Sequence, residues 1–125
     1  VAGKGLQQWD ASRWQRVWIG RLQTKQPWEA PVWLRIGGVN DHPEAASHAG
    51  VLQRWEERWG ARVLTVTQNL VEVDGAWHPE SWEEAFKLGQ EHYDYCPNII
   101  AAGTNNLSIY ARKLMYEDVW SFWWD

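Results

Sequence analysis

Glu91-His92-Tyr93-Asp94-Tyr95-Cys96 is the segment of this chain richest in side chains that do chemistry. His92 and Cys96 lie four residues apart, so one face of a helix presents both. An imidazole and a thiolate together suit zinc, and His42 or a carboxylate can complete such a site. The same groups can instead form a cysteine–histidine nucleophile pair, with the thiolate favoured beside an imidazolium. Asn40-Asp41-His42 offers the second half of either site. The candidate catalytic residues are therefore Asn40, Asp41, His42, Glu91, His92 and Cys96, and the candidate metal ligands are His42, His92 and Cys96. A plainer reading competes with both. His92 flanks an apolar stripe, Cys is among the most commonly buried residues, and there is no second cysteine to make a paired metal motif. On that reading both side chains are core, and no cofactor is expected.

Other constellations carry less. Glu56, Glu57, Glu83, Glu84 and Glu91 do not form an acid pair for glycoside hydrolysis, because adjacent helical carboxylates point apart. Glu83 and Glu84 instead complement a helix dipole. Gly37-Gly38 and Gly103 are not followed by the lysine of a phosphate-binding loop. The twelve tryptophans are the other resource. Each can bury roughly 200 Å², so a few supply much of a core, and those left exposed can anchor a partner. Trp9, Trp28 and Trp77 fall in expected loops or element ends and are the ones expected at the surface.

The elements that would position these groups can be read in order. Asp10 caps a helix to about Leu22, carrying Trp14, Val17, Trp18 and Leu22. Pro31 opens a strand, Val32 to Ile36, closed by Gly37-Gly38. A helix over 43–59 buries Ala45, Ala49, Leu52, Trp55 and Trp59, and Gly60 stops it. Strands at 62–67 and 70–74 form a hairpin, with Leu64 and Val66 on one face and Val71 and Val73 on one face. Ser81-Trp82-Glu83-Glu84 is a capping box opening a helix to about Asp94. Its inner stripe is Trp82, Ala85, Phe86, Gly89 and Tyr93, with Gly89 allowing a close backbone approach. A short helix over 105–115 and a final strand over 118–124 follow. Alternation places Trp120, Phe122 and Trp124 on one face of that strand; Val119 and Trp123 on the other make it an interior strand.

Composition bounds the rest. A chain of 125 residues with a net charge of −4 is one acidic domain with one core. That charge argues against a general nucleic-acid binder, and the basic Arg13, Arg16 and Arg21 read as a solvated helix face. One cysteine forbids an internal disulfide and fits a reducing cytoplasm. No apolar run approaches the ~20 residues of a membrane span. Val1 to Gly5 do not read as a signal peptide, and a start without methionine is what a processed or trimmed chain would show.

Several of these residues form a pattern. Gly37, Gly38, Asn40 and Pro43 are followed by Trp55, Glu56, Gly60 and Ala61, then by Glu91, His92, Tyr93, Cys96 and Pro97. The chain closes Trp120-Ser121-Phe122-Trp123-Trp124-Asp125. Over about residues 31–125 this resembles the bacterial domain of unknown function numbered 4253. The resemblance implies a compact cytoplasmic domain of bacterial or phage origin and no particular activity. Asn98 departs from the Cys-Pro-Asp that the family usually reads.

The resulting expectation is a single α+β domain, a ferredoxin-like split β-α-β sandwich. Its antiparallel or mixed sheet carries helices mainly on one face, with an added N-terminal helix. Residues 1–30 are an extension and 31–125 the domain. The favoured function is an acidic protein-binding domain, immunity-type or accessory, with a basic protein partner. Its candidate surface is Trp77, Glu80, Trp82, Glu83 and Glu84. The alternative is a small enzyme or metal-dependent domain built on the His/Cys/carboxylate set. Against it, in a ferredoxin-like sandwich the turn at 40–42 and the end of the helix carrying His92 lie at opposite helix ends unless a loop bridges them.

Overall fold

A computed structural model describes residues 7–10, 16–19, 26–39 and 42–124. The chain is an α+β domain. Two short strands, β1 (Gln7–Asp10) and β2 (Arg16–Ile19), pair antiparallel. A 3-10 turn (Pro27–Glu29) leads into α1 (Ala30–Leu34) and then α2 (Ala45–Trp59). Strands β3 (Arg62–Val66) and β4 (Leu70–Asp74) precede α3 (Trp82–Tyr95). A π-type turn (Ile99–Thr104), α4 (Leu107–Leu114) and β5 (Val119–Trp123) complete the order. The main sheet is three-stranded, β3-β4-β5, with both pairings antiparallel.

Two expected elements change type. The N-terminal helix expected from Asp10 is replaced, where described, by paired strands. The β-branched Val17 and Ile19 favour an extended backbone, and Gly20 is a poor helix former. The strand expected at 32–36 is α1 instead. Pro31 sits in the first turn of that helix, where its missing N–H costs nothing. Arg35 ends it in the left-handed region, and Gly37 and Gly38 continue with positive φ. Losing this strand removes the split β-α-β order. What remains is a meander in which β5 pairs only with β4 among the described residues, so the tryptophan-rich terminus is an edge strand and not an interior one.

The long helices pack antiparallel on one face of the sheet. Arg54 meets Glu91 and His48 meets Tyr95, so the start of α2 lies beside the end of α3. Trp55 and His92 both lay their rings on Trp120 and Phe122 of β5. Val71 and Val73 complete that face. A bulge between Val63 and Thr65 rotates β3, so Leu64 is exposed while Val63 and Val66 pack inward. α4 lies on α3 at Gly89, where a Cβ would stand 3.3 Å from Leu107 Cδ1. The close approach expected at Gly89 is therefore a helix–helix contact.

The buried stripe of α3 is Ala85, Leu88, Gly89, His92 and Tyr95, one position round from the expected one. Trp82 and Tyr93 consequently face solvent. At its start the Ser81 hydroxyl accepts from Glu84 N–H, and the Glu84 carboxylate accepts from Glu80 N–H. Ser81→Ala should lower stability by about 1 kcal/mol, read from denaturant midpoints at unchanged m.

Candidate functional site

The antiparallel helix pair sorts the candidate residues to its two ends. At one end His42 meets His48, which meets Tyr95 at the end of α3, so His42 does not lie at the far end from the helix carrying His92. Gly38 N–H donates to the carbonyls of His42 and Pro43. Gly37 has φ +88°, and a Cβ there would stand 1.9 Å from the Pro43 carbonyl oxygen. This tight turn places His42 flat against Trp124, with ring centroids 4.4 Å apart. His42 also meets the edge of His48, whose Nδ1 lies 2.5 Å from the Tyr95 hydroxyl. Asn40 and Asp41 lie outside the described residues.

A second histidine–tyrosine pair lies deeper. His92 is fully buried, its Nδ1 2.7 Å from the Tyr110 hydroxyl, with Trp55, Trp120 and Phe122 around the ring. Among the described residues its Nε2 has no hydrogen-bond partner. Burial drives the His92 pKa down to about 3. His48 is lowered to about 4, first by burial and then by His42, with the Pro43 carbonyl opposing. Burial also lowers His42. All three rings are neutral at pH 7.

Cys96 is buried, and its thiol donates to the Trp123 carbonyl at 3.1 Å. Burial raises its pKa, against the thiolate that a nucleophile or metal ligand requires. Glu91 is committed to Arg54 at 2.7 Å and to the Trp55 indole N–H at 3.0 Å. Among the described residues no group of three or more His, Cys, Asp or Glu side chains is placed to hold a metal ion. What this end does chemically is seat neutral polar rings among aromatic ones and tie α2, α3 and β5 together. Asn98 joins in: its amide donates to the Trp123 carbonyl, a bond an ionised aspartate would have no proton to make.

At the opposite end, α2 finishes beside the start of α3. Trp77 N–H donates to the Trp59 carbonyl, and its indole lies over Gly60, where a Cβ would approach it to 3.0 Å. Trp77 and Trp82 are 59% and 46% exposed. In sequence Glu80 falls between them and Glu83 follows Trp82, both exposed, and Glu83 reaches Lys87 at 3.3 Å. Glu84 is occupied with the Glu80 N–H. Trp28, expected at the surface, instead packs against the core.

His48, Tyr95 and Tyr110 are functional-looking residues that the candidate set omitted. The signal for His48 is its place in the stripe His48, Leu52, Trp55, Trp59, at helical spacing and all buried.

Fold and sites together define a small α+β domain with an aromatic, histidine-containing core and one exposed tryptophan-and-carboxylate end. A family model described as a domain of unknown function (DUF4253) matches residues 18–125, and the chain belongs to that family. No curated protein and no solved structure matches it. No described helix is long and apolar enough to cross a membrane.

Proposed function

We propose that this chain is an acidic protein-binding domain, immunity-type or accessory, that works in a bacterial cytoplasm against a basic protein partner. The observation that carries the reading is the pair Trp77 and Trp82, largely exposed in a protein that buries Trp55, Trp59, Trp120 and Trp124. Tryptophans left at the surface beside carboxylates are the residue types of interface hot spots and of electrostatic steering. The opposite end supports the same reading, since its histidines are neutral and its thiol is protonated and bonded.

The test is affinity for a partner captured on the native protein and then purified. Trp77→Ala and Trp82→Ala should each weaken binding by at least about tenfold, as expected for hot-spot truncations. Glu80→Lys with Glu83→Lys should weaken it further at low salt and less at high salt. Both tryptophans are solvent-facing, so the melting temperature should stay close to that of the parent. Unchanged affinity in all of these variants would show that this end is not the interface.

A further inference from the structure

The outer edge of β5 is an unfilled place in the sheet. Trp124 N–H donates to the Asn69 carbonyl and Gly75 N–H to the Asp118 carbonyl. With the β4–β5 register, these bonds direct the backbone groups of Trp120 and Phe122 toward β4. The N–H and C=O groups of Val119 and Ser121 therefore point away from β4, onto an edge that no described strand pairs. At its far end this edge is closed by Asn98 and Cys96, which occupy the Trp123 carbonyl. Beside the open stretch lies a pocket of about 290 Å³ between β5, α4 and the π-type turn. Ile99, Leu114, Trp120 and Trp123 give it an apolar lining, and Lys113 and Glu117 are its charged members.

We propose that the β5 edge takes an extended, basic segment of a protein partner as an added strand, with one apolar side chain seated in this pocket. Unpaired edges recruit strands through main-chain hydrogen bonds, and adjoining pockets supply the selectivity. The charge around the edge chooses the sign of the segment. Glu117 lines the pocket, Asp118 precedes the strand, and Glu72 accepts from the Ser121 hydroxyl at 3.2 Å. Against these three carboxylates stands Lys113, paired loosely with Glu117 at 3.6 Å. An added strand lies about 4.8 Å from β5, and its side chains alternate between the two faces of the sheet. A segment with apolar and basic residues in alternation fills the pocket and meets the carboxylates. The edge is also continuous with the exposed tryptophan end, because the ring of His78, next to Trp77, lies 2.9 Å from the Asp118 carboxylate. The inference rests on the protein-binding reading and adds the partner's backbone conformation and charge.

The probe is a capped heptapeptide alternating arginine and valine, added to the full chain, with amide hydrogen exchange read at Ser121. Binding should slow that exchange by about tenfold or more. A heptapeptide N-methylated at alternate residues, and one with glutamate in place of arginine, should each lose the effect. Ser121→Pro has no amide at 121, so exchange is read at Val119, whose N–H also points away from β4; there the peptide should slow exchange in the parent and not in the variant, and proline is tolerated on an edge. Unchanged exchange at Ser121, or equal binding of the N-methylated peptide, overturns strand addition. If the purified partner's affinity falls in Trp77→Ala but not in Ser121→Pro, the binding reading stands and the edge proposal fails.

Discussion

Lowering the pH from 7 to 5 should cost this protein about 2 kcal/mol of stability through His92 alone, before most carboxylates begin to titrate. The unfolded chain binds a proton at His92 near pH 6.5, whereas the folded chain holds the ring neutral down to about pH 3. A histidine whose folded pKa is depressed contributes stability in full above its unfolded value. That stability is lost as pH falls toward the folded value, because the unfolded state then binds the extra proton. The full shift corresponds to on the order of 5 kcal/mol, comparable to the whole stability of many domains. His48 acts in the same direction, with a smaller share. Among the described residues no charged group hydrogen-bonds the His92 ring to rescue the imidazolium: its neighbours are the Tyr110 hydroxyl and the rings of Trp55, Trp120 and Phe122. Urea titrations followed by tryptophan fluorescence at half-unit pH steps measure the slope directly. A flat stability between pH 6.5 and 5 contradicts the buried neutral ring, and His92→Phe, where it folds, should flatten the slope.

The histidine environment was only partly readable from the chain. The four-residue spacing of His92 and Cys96 suggested one helix face, but α3 ends at Tyr95 and Cys96 is its non-helical C-cap, φ −145° and ψ 87°. What that face meets was not readable, because it depends on β5 lying across both long helices. The two hydroxyls that complete the pairs come from Tyr95, 47 residues from His48, and Tyr110, 18 residues from His92. No local pattern encodes such distant partners. The same holds for the turn at Gly37-Gly38. Two consecutive glycines signal a bend, but only the antiparallel pairing of α2 and α3 brings that bend to the end of α3.

The fold was legible where periodicity and caps agree. α2 with Gly60, the β3–β4 hairpin, the Ser81 cap, α4 and the buried face of β5 all lie close to where the residues place them. It was not legible where short apolar runs fit two periods. Val32-Trp33-Leu34-Arg35-Ile36 is a short apolar, β-branched-containing run that fits a strand, yet prolines at 27 and 31 start helical turns. In α3 both Trp82 and Leu88 are apolar, so hydrophobicity alone left the phase of the stripe open. Packing selected the phase that buries His92 and exposes Trp82. That choice creates both the neutral core histidine and the exposed tryptophan at the start of α3.

Trp55→Ala should be the most damaging of the tryptophan truncations, costing about 4 kcal/mol. Trp55 is 1% exposed and stands where the layers meet: its ring touches His92 and Tyr95 of α3 and Trp120 and Phe122 of β5. Its indole N–H also donates to Glu91, which Arg54 holds from the other side. Truncation therefore removes a large apolar area, leaves a cavity lined by rings that backbone-anchored neighbours cannot refill, and takes a donor from a carboxylate. Trp55→Phe should be milder, keeping most of the volume and losing the bond to Glu91. Trp77→Ala and Trp82→Ala should change stability by no more than about 0.5 kcal/mol, as solvent-facing substitutions do. Equilibrium unfolding of the four variants separates two populations of tryptophan, one that holds α2, α3 and β5 together and one that packs little and faces solvent. A Trp77 or Trp82 variant as unstable as Trp55→Ala would return that residue to the core and remove the main support for the binding surface.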